Sequence, residues 1–68
     1  MTDKEREDAI KREGELMTAA MLIAEQSGNE YFMYRGEADK HRRAMEELIR
    51  GRSADQVRVM EEALGLAT

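Results

Sequence analysis

The sequence contains no cysteine, no proline and no tryptophan, and its only histidine is His41. Without cysteine the chain has no disulfides and no thiolate metal sites, and one histidine falls short of the four ligands of a structural zinc site. Glu37 precedes His41 by four residues, whereas the Glu and His of di-iron helical bundles are three apart. Ser27 and Ser53 occupy positions typical of helix caps, with no histidine nearby in sequence. We therefore expect no enzymatic activity, no metal and no cofactor.

Long hydrophobic runs are also absent. The longest apolar stretch, Leu16 to Ala24, is interrupted by Thr18 and is far shorter than a bilayer-spanning helix. The sequence shows no basic segment followed by an apolar core and a cleavage site, the pattern of a secretory signal. We expect a cytoplasmic protein that makes no contact with a membrane.

Aromatic residues make up only 4% of the chain and charged residues 38%. That balance alone favours disorder, but the most frequent residues are those that lose least on entering a helix. We predict one all-α domain over residues 1–68. A domain this short buries only about 60% of its unfolded surface. With disulfides and metals excluded, association is the remaining way to add stability.

The first helix is predicted to begin at Thr2, which forms a T-x-x-E capping box with Glu5. Its apolar residues then recur at spacings of seven, four and three: Ile10, Met17, Met21 and Ala24. From residue 16 to 24 the helix is apolar nearly all round, and Leu22 points away from Ile10. One neighbouring helix cannot cover both sides, so this segment requires a second partner surface.

Glycines divide the rest of the chain. Ser27-Gly28-Asn29 predicts the end of the first helix and a capped start of the second, within which Gly36 indicates a kink or a close helix crossing. Gly51 ends the second helix, and a capping box from Ser53 to Gln56 begins a short third helix. The second helix carries a stripe at alternating spacings of four and three, namely Tyr34, Ala38, His41, Met45 and Leu48, and the apolar residues of the third helix are Val57, Met60 and Leu64. Gly65 closes the third helix, with Leu66 placed against Met60.

These elements predict a helical hairpin of two long helices, with the short C-terminal helix packed at the open end. We expect the hairpin to form a homodimer through the first helix, giving a four-helix arrangement. The predicted dimer interface consists of Met17, Ala20, Met21, Leu22 and Ala24.

Aromatic residues cluster at the start of the second helix. Tyr31, Phe32, Met33 and Tyr34 span one helical turn and cannot all face inward, so part of this surface is left for a partner. Aromatics and arginine are enriched at interface centres. We predict a site for a larger protein partner at Tyr31, Phe32, Met33 and Arg35.

A nucleic-acid-binding role is the main alternative. Residues 35–58 hold seven basic and five acidic residues, a net charge of +2 in a chain of net charge −4. The stretch from Leu48 to Ser53, followed by Val57 to Leu66, resembles the last part of the phage-repressor type of helix-turn-helix domain. In that family the recognition helix ends in a similar Gly-Arg turn, and the next helix closes with a comparable Ala-Leu-Gly. The resemblance covers about 19 of the 68 residues.

The chain departs from that family upstream, where two short helices around a glycine turn would have to replace one long helix from Asn29. No DNA-contacting residue is therefore carried over, and a phosphate-binding surface would need a denser basic face. The favoured hypothesis is a small protein-interaction module, a bacterial or phage regulator or inhibitor that covers a surface of a larger protein, for instance a host defence or nucleic-acid-binding protein. A helix-turn-helix-like DNA-binding regulator comes second, and a helical assembly or scaffold protein third.

Overall fold

The computed structural model describes residues 1–65, which form three α-helices and no strands. Helix α1 spans Asp3–Gln26, α2 spans Tyr31–Arg50 and α3 spans Ala54–Ala63. The two long helices pack together as a hairpin, so the predicted all-α hairpin with a short C-terminal helix is confirmed. The molecule measures 50 × 25 × 14 Å. No helix within the described residues combines the length and apolar character needed to cross a bilayer.

The start of α1 follows from its first residues. The backbone N–H of Glu5 donates to Thr2 Oγ1 at 3.1 Å, and the backbone N–H of Thr2 donates to Glu5 Oε1 at 3.1 Å. This is the predicted capping box, and it satisfies two of the backbone donors that have no partner within the helix. The hydrogen bond from the Thr2 backbone N–H to the Glu5 carboxylate, helped by the Thr2 hydroxyl, lowers the pKa of Glu5 below its ordinary value.

The hairpin turn depends on Gly28, whose φ of 54° lies in the left-handed region. A short 3-10 turn, Gly28–Glu30, then leads into α2. The prediction that Ser27 or Asn29 caps the second helix is wrong. The Ser27 hydroxyl donates instead to the carbonyl of Ile23, back in α1, and no side chain caps the start of α2. The turn is therefore formed by backbone geometry rather than by side-chain capping.

The core between α1 and α2 is unusually thin. Within residues 1–65, the buried side chains are all alanines: Ala9, Ala20, Ala24 and Ala38. Larger side chains flank these alanines and are only half-buried, among them Ile10, Met17, Met21, Tyr34, Met45 and Leu48. Alanine lets the two backbones approach closely but removes little apolar surface from water. The hairpin alone therefore gains limited hydrophobic stabilisation.

Gly14 faces the neighbouring helix, whereas Gly36 does not. A Cβ added to Gly14 would lie 3.5 Å from Met45 Sδ, whereas one added to Gly36 would meet no atom within 4 Å. Gly36 thus lies in open space on a continuous α2, and the predicted close crossing at Gly36 is wrong.

Gly36→Ala is expected to raise the free energy of unfolding by up to about 1 kcal/mol, because alanine fixes the helical backbone at lower entropic cost. Urea denaturation followed by circular dichroism at 222 nm measures the change. Gly28→Ala is the matched control and should destabilise the protein, since its backbone conformation strains any residue with a Cβ. A loss of stability in Gly36→Ala would contradict the open position of Gly36.

Polar contacts attach the N-terminal end of helix α3 to α1. Arg52 forms a double hydrogen bond with the Glu7 carboxylate, with both N···O distances 2.9 Å. The Ser53 hydroxyl lies 3.1 Å from both carboxylate oxygens of Asp3 and accepts from the Gln56 N–H. No residue of α3 is buried. The junction thus fixes where α3 begins without burying the helix.

The expected packing of α3 at the open end is therefore not what the structure shows. Leu64 is 72% exposed and Val57 is also exposed. The adjoining start of α1 presents Asp3, Arg6 and Glu7, which offer no apolar surface for α3 to cover. Leu66, predicted to contact Met60, lies outside the described residues.

Candidate protein-interaction surfaces

The most exposed large apolar group lies at the start of α2. We call Tyr31, Phe32, Met33 and Arg35 the aromatic tip. Phe32 is 85% exposed, and Tyr31 and Met33 are exposed as well. Successive helical residues point about 100° apart, so four in a row cannot share one face. Tyr34, on the same side of α2 as Ala38 and Met45, is the half-buried one.

The aromatic tip is held together by contacts among its own side chains. The rings of Tyr31 and Phe32 meet edge to face, with centroids 5.3 Å apart and planes at 81°. The Arg35 guanidinium lies over the Tyr31 ring, 5.9 Å from its centroid, and Arg35 Nη1 lies 3.5 Å from Met21 Sδ on α1. These contacts restrict the side chains before any partner arrives, which lowers the entropy lost on binding.

Protein-family models, curated sequences and solved structures gave no match to the chain.

A groove of about 290 Å³ continues from the aromatic tip along one side of the hairpin. Its lining residues are Met17, Met21, Arg35, Ala38, Asp39 and Arg42. Arg42 donates to Asp39, with its Nη2 2.5 Å from Oδ1. This hydrogen bond lowers the pKa of Asp39 and raises that of Arg42. The groove thus combines the side chains of Met17 and Met21 with the hydrogen-bonded pair of Asp39 and Arg42. These features suit a peptide segment with both apolar and polar groups.

The predicted dimer-interface residues divide into three groups. Ala20 and Ala24 are buried within the single chain, Ala24 to 1% exposure, and they pack in the hairpin. Met17 and Met21 are half-buried in the groove. Leu22 is 54% exposed on the outer side of α1. Of the five predicted interface residues, Leu22 is therefore the one that is exposed in the single chain.

His41 has a structural role that its sequence neighbours did not reveal. Its Nδ1 lies 2.6 Å from Glu13 Oε2 across the hairpin, and both side chains are part-buried. Glu37 instead pairs with Lys40. Within the described residues, no three His, Asp or Glu side chains converge on a point that could hold a metal. Glu13 lies between Ile10 and Met17 in the apolar stripe of α1, but that position alone does not identify His41 as its partner.

Three arginines of the basic stretch 35–58 have acidic partners on α2. Arg42 and Arg43 pair with Asp39, and Arg50 pairs with Glu46 and Glu47. An arginine that is already paired with a carboxylate binds a phosphate more weakly, because the existing ion pair must first be broken.

The lengths of the helices also differ from those of the helix-turn-helix family. Helix α2 runs unbroken from Tyr31 to Arg50, so this part of the chain lacks the two short helices of that family. The geometry gives no further support to the DNA-binding alternative.

Proposed function

We propose that the chain is a small protein-interaction module, a bacterial or phage regulator or inhibitor that covers a surface of a larger cytoplasmic protein. The aromatic tip is the contact site in this proposal. Its main support is Phe32, a large aromatic side chain that is 85% exposed yet held by an edge-to-face contact with Tyr31. Rigid, exposed aromatics beside an arginine are the residue types that contribute most to protein interfaces.

The charge of the module favours a partner with a basic surface. The chain has a net charge of −4, and its described arginines on α2 are largely neutralised by neighbouring carboxylates. An acidic module can occupy a basic, nucleic-acid-facing site on another protein, where charge complementarity raises the association rate.

We propose further that the module is a homodimer in which two hairpins form a four-helix arrangement. The exposed Leu22 and the thin alanine core support association. The accessible surface is 5259 Å², whereas a compact monomer of 7.8 kDa exposes about 4400 Å². The excess is similar to the roughly 800 Å² that each partner buries in a standard interface.

The test compares partner capture by the wild-type chain and by Phe32→Ala. A host protein recovered with the wild type should bind Phe32→Ala at least about fivefold more weakly, the loss expected for an interface residue worth about 1 kcal/mol. Affinity capture with mass spectrometry identifies the partner, and titration calorimetry measures the change. Leu64→Ala, at an exposed residue directly after α3, is the matched control and should bind normally.

Circular dichroism must first show that Phe32→Ala keeps the helicity of the wild type. Equal binding by both chains would reject the aromatic tip as the contact site. Binding of the purified chain to duplex DNA, weakened by salt and lost in Arg42→Glu with Arg43→Glu, would instead establish the regulator alternative.

A further inference from the structure

A second surface, separate from the aromatic tip, runs along α1 beside its contact with α2, with Gly14 at the edge nearest Met45. We call it the outer face of α1, formed by Lys11, Gly14, Thr18, Leu22 and Glu25. Lys11, Gly14, Thr18 and Leu22 line a shallow, mainly apolar groove, which Glu15 also borders. Glu25 follows Thr18 by seven residues and therefore lies on the same side of the helix. Leu22 is 54% exposed here, and the lining residues of the groove all belong to α1.

Lys11 and Glu25 are the charged residues nearest the midline of this face, and they have opposite charges on either side of its centre. Lys11 lies seven residues before Thr18 and Glu25 seven residues after it. Neither Lys11 nor Glu25 forms an ion pair within residues 1–65. A parallel second copy would place Lys11 against Lys11 and Glu25 against Glu25. An antiparallel copy places each Lys11 against a Glu25, so charge complementarity selects the antiparallel arrangement.

The apolar residues fit the same arrangement. With a two-fold axis at Thr18, each Leu22 lies opposite Gly14 of the second copy, because the two residues are equally distant from Thr18. Gly14 has no side chain of its own, and although Met45 Sδ lies 3.5 Å from where its Cβ would be, Gly14 and Leu22 line the same open groove. The surface is therefore complementary to itself, as a two-fold interface requires.

We propose that two copies of the chain pair through the outer face of α1, antiparallel about a two-fold axis at Thr18. This inference rests on the proposed homodimer and assigns its register. Leu22 of each copy fills the groove at Gly14 of the other, and Lys11 of each copy pairs with Glu25 of the other. The four helices then form a layer in the order α2, α1, α1, α2, with the two aromatic tips at opposite ends.

Thr18→Cys tests the register directly, because the natural chain has no cysteine to compete. Facing helices bring residues on a two-fold axis within the Cα separation that a disulfide spans. Mild oxidation of Thr18→Cys should convert most of the protein into a disulfide-linked species of twice 7.8 kDa on non-reducing gels. Arg43→Cys, whose side chain is 75% exposed on α2, is the matched control and should remain largely monomeric on the gel.

Charge reversal provides the second measurement. Lys11→Glu and Glu25→Lys, each alone, should weaken dimerisation about fivefold or more, since each creates two repulsive pairs per dimer. The double variant should regain the wild-type dissociation constant in sedimentation equilibrium. Both side chains are exposed, so these changes leave the hairpin itself intact.

The possible outcomes separate the register from the homodimer. A wild-type mass near 7.8 kDa at micromolar concentration would overturn both. A dimeric mass with no crosslink in Thr18→Cys and no rescue in the double charge variant would retain the homodimer and overturn this register. Partner binding through the aromatic tip is measured independently by Phe32→Ala.

Discussion

Ala38→Leu is expected to lower the free energy of unfolding by about 1–3 kcal/mol, the usual cost of forcing extra methylenes into a packed core. Ala38 is 3% exposed between the two long helices, and a leucine there must push α1 and α2 apart. Ala24→Leu should behave similarly, because Ala24 is also buried in the hairpin. Urea denaturation followed by circular dichroism measures the loss.

Ala63→Leu is the matched control for this experiment, since Ala63 is exposed on α3. Its effect should stay within about 0.5 kcal/mol, as for most surface substitutions. A leucine tolerated equally well at positions 38 and 63 would show that the alanine contacts do not set the helix separation.

Arg52→Ala is expected to release α3 from the hairpin and to cost about 1.5 kcal/mol, the lower range for a hydrogen bond to a charged group. Its side chain and that of Glu7 are part-buried and joined by two hydrogen bonds, and the substitution leaves the carboxylate without that partner. Amide hydrogen exchange should rise across α3, because the helix is short and has no buried residue of its own.

A double-mutant cycle with Glu7→Ala isolates the contribution of the pair. The exposed pair of Arg50 and Glu47 supplies the control, and Arg50→Ala should cost no more than about 0.5 kcal/mol. Unchanged exchange in α3 after Arg52→Ala would mean that other contacts hold the helix in place.

The features that the sequence predicted correctly are local ones. The Thr2 and Glu5 capping box and the turn at Gly28 each depend on residues within four positions of one another. Their hydrogen bonds and dihedral angles follow from residue type and spacing, whatever the rest of the chain does. The boundaries of the helices could therefore be placed before their packing was known.

The features that escaped prediction join residues far apart in sequence. His41 and Glu13 are separated by 28 residues, and Arg52 and Glu7 by 45. Either pair can be found only when the register of α1 against α2 is fixed. That register depends on small differences among the alanine contacts between α1 and α2, which no periodic pattern reveals.

The third helix shows how an apolar pattern can mislead. The spacing of Val57, Met60 and Leu64 predicted burial at the open end of the hairpin, but spacing shows only which residues share a face. The start of α1 is charged, and the ion pair at Arg52 and the hydrogen bond at Ser53 occupy the available contact. The candidate site was more predictable, because four consecutive large residues at Tyr31–Tyr34 must leave some exposed whatever the register.

A core made of alanines has a consequence for calorimetry. The heat capacity change of unfolding comes mainly from newly hydrated apolar surface, and Ala9, Ala20, Ala24 and Ala38 contribute little of it. The isolated chain should therefore melt over a wide temperature range, with a small heat capacity step. Association would bury Phe32 and Leu22 against partners and so lower the heat capacity. The helix content would not change, because both residues lie on helices that are already formed. For this protein, heat capacity would report assembly more sensitively than helix content does.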